Sequence, residues 1–386
     1  MYTVKGDEEK GKIMFKKTQK KILEEFKKFE PYHKDLLPGT YRLNWYYKKI
    51  LHDDSKQSKR LIQNIIHNYP KETMHLTLKD TIWYGLRRMG LSVFQWVVLN
   101  RFKVVLTHEG FDVKQGSLVM LMHDEDQVKV FNFKTNQVYT RIENADKLRK
   151  VEMVEEAIKH HFTTPVEAIH DDDGLVVETL IDYTPTQAWD YDDVVRVTTT
   201  LLHQFLDYSK ALPPEKIAQR TTKAITATFL DHHKDAEMKR ILQRWLDESL
   251  LPSVWPVVPF QGDFHYKNML LSEDAVYLID FEYFSKAPFI FILMRLMMEE
   301  YLHFGQTALF ESYLNGTFDD DFDAIFKAYH LTFRSQDKGC YVMLFLMYLN
   351  MDDERFKEIL ERFNPFLKQY GFKRTRQLFQ TLATRF

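Results

Sequence analysis

From about Arg101 the chain falls into short runs in which apolar and polar residues alternate. FKVVLT, SLVMLMH, QVKVFNF and QVYTRI follow one another, parted by turns such as HDEDQ and KTN. A period of two predicts half-buried strands in a meander. The period then changes: ADKLRKVEMVEEAIKHHF predicts a helix. VEAIH, the turn DDDG and LVVETLI predict two more strands. After Asp182 the pattern is helical, beginning with VVRVTTTLLHQFLDYSKAL. MLL and VYLI, on either side of SEDA, predict a hairpin, and the chain then reads as helical to its end. Ahead of Arg101 the residues are mostly helical in pattern and rich in Lys and aromatics. KTQKKILEEFKKFE carries Ile22, Leu23, Phe26 and Phe29 at helical spacing. DTIWYGLRRMGLSVFQWVVLN is a denser apolar stretch.

Composition adds limits. At 386 residues, two or three domains are expected. Hydrophobic residues make up 45%, with 30 Phe and 20 Tyr, enough for a sizeable core. The net charge of −2 gives no electrostatic reason for a nucleic-acid partner. The single cysteine, Cys340, rules out an intramolecular disulfide and a thiolate zinc cluster. Its apolar neighbours predict a buried thiol rather than a nucleophile. MYTVKGDEEKGK is polar and does not read as a signal peptide. The longest apolar runs, such as FIFILMRLMM with Arg295 inside, are too short to span a bilayer. A soluble cytoplasmic protein is the expectation.

The chemistry concentrates in PFQGDFHYKNMLLSEDAVYLIDFEYF. Asp263 is followed five residues later by Asn268, and twelve residues after that by Asp280 at the end of an apolar strand. Phosphoryl transfer from a nucleotide needs such a set. One carboxylate orients the attacking hydroxyl, while an Asn and a second carboxylate hold a metal on the phosphates. The predicted hairpin would bring Asn268 and Asp280 to one end, as a shared metal requires. An Asp and an Asn in a turn are ordinary loop chemistry. The joint pattern with Gln261-Gly262 before and Phe281-Glu282 after is far more specific.

This stretch resembles the catalytic segment of the aminoglycoside phosphotransferase and choline kinase family. The family pattern is His-Gly-Asp, four residues, Asn, then a strand ending Ile-Asp-Phe/Trp-Glu/Asp. The resemblance covers about residues 101–386 and implies an α+β, two-lobed protein-kinase-like fold; the helical N-terminal extension ahead of it is not explained by the resemblance. The extension would cover 1–100, a small antiparallel-sheet lobe with one helix 101–182, and a large helical lobe 183–386. It implies Asp263 as catalytic base and Asn268 and Asp280 as Mg²⁺ ligands, with ATP between the lobes. Gln261 departs from the family's His, which props the loop. Apolar residues in YFSKAPFIFILMRLM stand where the family has a bracing Asp.

On the nucleotide side, the resemblance implies a strand cation paired with a helix Glu. Arg141 in QVYTRI and Glu152 in the following helix occupy those places, with Glu156 one turn on as rival to Glu152 and Lys129 as rival to Arg141. Glu178 marks the run into the connecting segment, where adenine would lie. His203 in TLLHQFL stands where the family's first large-lobe helix ends in Leu-His, and is read as a packing and hydrogen-bonding residue. The adjacent pairs His160-His161 and His232-His233 diverge on a helix and make poor metal sites. The acidic runs HDDDG and FDDDFD lack calcium-loop spacing.

The sequence therefore predicts an ATP- and Mg²⁺-dependent phosphotransferase acting on a small-molecule hydroxyl: a sugar, amino alcohol, aminoglycoside or cell-envelope precursor. Its partners are nucleotide and substrate, with the oligomeric state open. Aromatic and acidic residues such as Trp189, Tyr191, Glu299, Glu300 and Tyr301 hint at a cationic substrate, or simply at a helical lobe rich in aromatics. The alternative is a pseudokinase that binds nucleotide or partners without turnover. RRMGLSVFQWVVLNRFKVVL predicts a buried helix on the small lobe, with contact to a membrane surface as the rival reading.

Overall fold

The first strands along the chain are β1 (Thr3–Lys5), β2 (Gly39–Asn44), β3 (Ile50–His52), β4 (Lys103–Leu106) and β5 (Leu118–Leu121). They are followed by β6 (Gln127–Asn132), β7 (Gln137–Ile142), β8 (Val166–His170) and β9 (Leu175–Thr179). All nine join one antiparallel sheet in the order β1-β4-β2-β3-β5-β6-β7-β9-β8. The computed structural model describes residues 3–5, 15–44, 49–67, 103–107, 112–122, 127–232, 251–281, 284–304 and 307–349. These fall into two compact units. The first holds the described residues up to 67, those from 103 to 152, and 165–185; the second holds 153–164 and those from 186 onward.

In the first unit, alternation along the strands gives the sheet two apolar faces. Val128, Val130 and Tyr139 share one face with Ile22 and Phe26 of α1 (Phe15–Lys27) and with Phe29 just beyond it. Phe131 and Val138 share the other with Leu61 and Ile62 of α2 (Lys56–His67). The helix expected after β7 is α3 (Ala145–Ile158). The N-terminal region thus supplies helices to both faces and strands to the sheet. The apolar stretch expected over residues 80–100 lies outside the described residues.

Two glycines are required by geometry. At Gly116 a Cβ would sit 2.4 Å from the Phe131 carbonyl oxygen, so only glycine lets the segment before β5 lie against β6. Gly116 N–H also donates to the Asp35 carbonyl (2.9 Å), tying the N-terminal region to the sheet. Gly174 closes the DDDG turn at φ 59°, a left-handed conformation suited to glycine.

The second unit is mainly helical. α4 (Tyr191–Ala211) begins with a capping box in which Asp190 accepts from Asp193 N–H at 2.9 Å. The other helices are α5 (Thr222–His232), α6 (Phe289–Phe304), α7 (Ala308–Asn315), α8 (Asp319–Ala328) and α9 (Lys338–Tyr348). β10 (Ala218–Thr221) leads directly into α5, and between α5 and α6 lie β11 (Val254–Gln261), β12 (Met269–Leu271), β13 (Val276–Leu278) and β14 (Phe284–Pro288). β10, β11 and β14 form an antiparallel sheet, and β12 pairs with β13 as the expected hairpin. The α+β architecture read from the sequence is the one observed. Among the described residues, no helix is long and apolar enough to cross a membrane.

Candidate active site

The site is a loop held at its ends by apolar strands and in its middle by one ring. β11 runs buried from Val258 to Gln261, and the chain then turns through Gly262 and Asp263. Phe264 is buried and meets Phe260 and Phe162 edge-on, with centroids 5.1 and 6.1 Å away. Phe205 and Tyr208 of α4 extend this cluster around Phe260. Pinning Phe264 fixes the two polar residues on either side of it, Asp263 and His265.

Asp263 is surrounded by donors. Arg295 of α6 reaches Oδ1 at 2.9 Å, and through its other terminal nitrogen donates to the Gly262 carbonyl at 2.6 Å. His265 Nε2 lies 3.0 Å from Oδ2, and Asn268 Nδ2 donates to the same oxygen at 3.2 Å. Asn268 Nδ2 also donates to the Asp263 carbonyl at 2.9 Å. Burial alone would raise the Asp263 pKa. The His265 hydrogen bond and charge, the Arg295 charge and the Asn268 hydrogen bond outweigh it and hold the carboxyl below its ordinary value. The group is therefore an ionised carboxylate at neutral pH.

Asp280 lies at the same end of the hairpin as Asn268. Met269 pairs with Leu278, and Ile279 N–H donates to the Asn268 carbonyl at 2.9 Å. Asp280 itself has φ 65°, a left-handed conformation that Asp tolerates better than most residues but that is still strained. Gln261 holds it there. The Gln261 side chain is fully buried, and its Nε2 donates to the Ile279 carbonyl (3.2 Å) and the Asp280 carbonyl (2.8 Å). Gln261 thus acts as a prop. Glu282 lies outside the described residues.

The donor set suits a hard cation. With both Asn268 amide bonds made through nitrogen, its Oδ1 has no partner among the described residues. An amide oxygen and a carboxylate are oxygen ligands of the kind a hard divalent cation takes. Among the described residues, no group of three His, Cys, Asp or Glu could hold a metal unaided.

Arg141 and Glu152 are not brought together. Arg141 pairs with Asp35 of the N-terminal region at 2.8 Å. Glu152 shares a hydrogen bond with the Asp171 carboxyl, which pushes its own pKa up. The reason is strand alternation: Arg141 is on the face of β7 that carries Tyr139 and that α1 covers. The opposite face carries Lys129, Thr140 and Glu178. Glu178 accepts from the Thr140 hydroxyl at 2.8 Å and pairs with Lys129 at 3.5 Å. Glu156 is exposed and pairs with Lys159. His203 is exposed and pairs with Asp321 at 3.0 Å.

Sequence reasoning passed over Arg295 and His265. The signal for Arg295 was a basic residue inside the apolar run of α6. A further feature is Glu300, buried with neither carboxylate oxygen hydrogen-bonded among the described residues. Burial raises its pKa to about 7, against the charges of His265 and Lys267.

No family model matches the chain, and no curated protein matches it. The chain is similar to several solved structures, three of which are as follows. One is a choline/ethanolamine kinase family protein from Mesorhizobium loti (14% identity, 68% of this chain and 87% of that chain, TM-score 0.34). Another is the choline kinase LicA from Streptococcus pneumoniae (11% identity, 78% of this chain and 99% of that chain, TM-score 0.37). The third is an aminoglycoside phosphotransferase from Alicyclobacillus acidocaldarius (15% identity, 68% of this chain and 91% of that chain, TM-score 0.32). At these identities and TM-scores the likeness carries no residue role.

Proposed function

We propose that this chain is a phosphotransferase that moves the γ-phosphoryl group of ATP to a hydroxyl on a small molecule. The observation that supports it best is the ionised, donor-held Asp263 beside Asn268 and Asp280. In the proposed reaction, the acceptor hydroxyl donates to the Asp263 carboxylate, which orients its oxygen toward the γ-phosphorus. The new O–P bond forms as the bond to the β,γ-bridging oxygen breaks, and that electron pair leaves with ADP. The hydroxyl proton passes to Asp263. A carboxylate of lowered pKa is a weak base, so its main contribution is orientation, as in a loose phosphoryl-transfer transition state. Asn268 and Asp280 would hold Mg²⁺, which when bound supplies neutralising charge on the phosphates. For the sheet-side cation we favour Lys129, paired with Glu178, over Arg141, which Asp35 already engages.

The departures at Gln261 and at the bracing Asp support a second reading, nucleotide binding without turnover. Asp263→Asn separates the two. Loss of ATP turnover by about 10²–10⁴-fold with ATP affinity retained is expected for a base. Turnover unchanged in the variant, measured against a panel of hydroxyl acceptors, would remove Asp263 from the chemistry. No turnover by the unaltered protein, with ATP binding intact, would leave the binding module.

A further inference from the structure

A carboxylate offers four lone-pair positions, two on each oxygen. At Asp263, Oδ2 accepts from both His265 and Asn268, while Oδ1 accepts from Arg295. Among the described residues this leaves one position, on Oδ1, next to the guanidinium. Arg295 does not depend on that single bond for its place. It also donates to the Gly262 carbonyl at 2.6 Å. From behind, Glu299 lies one helical turn away with an oxygen 3.7 Å from Nε. α6 around it is buried on both sides, at Met294 and Leu296. A buried helix therefore grips the loop at its peptide and its carboxylate with one planar group, a task that suits the fixed fork of arginine better than the mobile point charge of lysine.

We propose that Arg295 is a positioning residue for Asp263, and that the acceptor hydroxyl binds at the Oδ1 position left open by the described residues, beside the Arg295 guanidinium. This rests on reading Asp263 as the base. It adds where the acceptor oxygen sits and what keeps it there. With the clamp in place, the hydroxyl hydrogen points at Oδ1 and its oxygen lone pair toward phosphorus. Without it, Oδ2 keeps His265 and Asn268, but Oδ1 loses its partner and the Gly262 peptide its grip, so Oδ1 can swing about the Oδ2 hydrogen bonds. The proton and electron-pair balance is that of the transfer already described. Arg295 donates hydrogen bonds throughout and changes no charge.

Two measurements on the full chain test this. The first needs no turnover: ¹⁵N-arginine labelling, with the Arg295 side chain identified by its loss in Arg295→Lys. A guanidinium held by two acceptors rotates slowly and gives separate terminal N–H signals, and Asp263→Ala should merge them. One averaged signal in the unaltered protein would mean there is no clamp, and the proposal falls. The second is steady-state ATP turnover with water and with a panel of hydroxyl acceptors. Arg295→Met should lower kcat on the order of a hundredfold, the scale of a small misplacement of reacting groups, and leave ATP affinity unchanged. Arg295→Lys should recover only part of it. In Arg295→Ala, millimolar guanidinium should restore turnover and methylammonium should not. Wild-type kcat in Arg295→Met, or ATP affinity falling in step with kcat, would overturn the proposal. Separate N–H signals with no turnover from the unaltered protein would instead fail the phosphotransferase reading and the acceptor position built on it.

Discussion

Gln261 shows how one buried side chain can hold a strained backbone. A left-handed Asp persists only where its surroundings over-determine it, at a cost of about 1–3 kcal/mol. Here one buried amide grips the carbonyls on both sides of the Asp280 Cα. Gln261→Leu keeps the bulk and removes the donor. It should destabilise the fold by about 1–3 kcal/mol, the cost of leaving buried acceptors unmet, and should weaken Mg²⁺-dependent ATP binding because Asp280 is freed to relax. Urea unfolding and a Mg²⁺ titration of ATP affinity check both. Loss of stability with unchanged metal dependence would separate the prop from the metal site. Metal dependence itself should suffer more in Asp280→Asn than in Asn268→Ala, since a full charge outweighs a dipole at a hard cation. Equal dependence in both and in the unaltered protein would place the metal elsewhere. At this scale the spacing of Asp263, Asn268 and Asp280 was legible because all three belong to one loop and its hairpin. Arg295 was not, because its contact spans a sequence separation that no local pattern encodes.

Among elements, the strands from β4 to β9 and the helices α1, α3 and α4 were legible because their apolar periods are strong. β2, reading GTYRLN after a proline, was not: Pro38-Gly39 reads as a turn, and the strand is stabilised by its neighbours β3 and β4 rather than by its own pattern. The face of β7 was the harder question. A one-residue step in a strand exchanges sheet faces, and it is this step that gives Arg141 to the N-terminal region and leaves Thr140 beside Glu178 and Lys129. Asp35 is buried, and its pKa is raised by burial against the pull of Arg141. Arg141→Met would leave that carboxyl unpaired and should destabilise the fold by about 1–3 kcal/mol with ATP affinity unchanged. Lys129→Met should lower ATP affinity. Both are read by thermal melts and ATP titration. Loss of ATP affinity in Arg141→Met alone would return the phosphate contact to Arg141.

Over the whole molecule, stability should carry the signature of Glu300. Its carboxyl moves from an ordinary 4.5 to about 7 on folding. Between those values the folded chain holds more protons than the unfolded chain, so stability falls as pH rises and levels off above about 7. The shift corresponds to roughly 3 kcal/mol at most. Asp263 acts in the opposite sense and in another window. Its lowered pKa contributes stability above its ordinary 3.8 that is lost only as pH falls through the lowered value. His33 and His52, both lowered by burial, do overlap with Glu300: their contribution rises as pH climbs toward 6.5. The quantity that isolates Glu300 is therefore the difference between the unaltered protein and Glu300→Gln. Urea unfolding free energies taken from pH 5 to 8 should show a difference that grows up to about pH 7 in favour of the variant and is flat beyond. A difference independent of pH would mean that Glu300 stays ionised in the fold, held by a partner that offsets its burial.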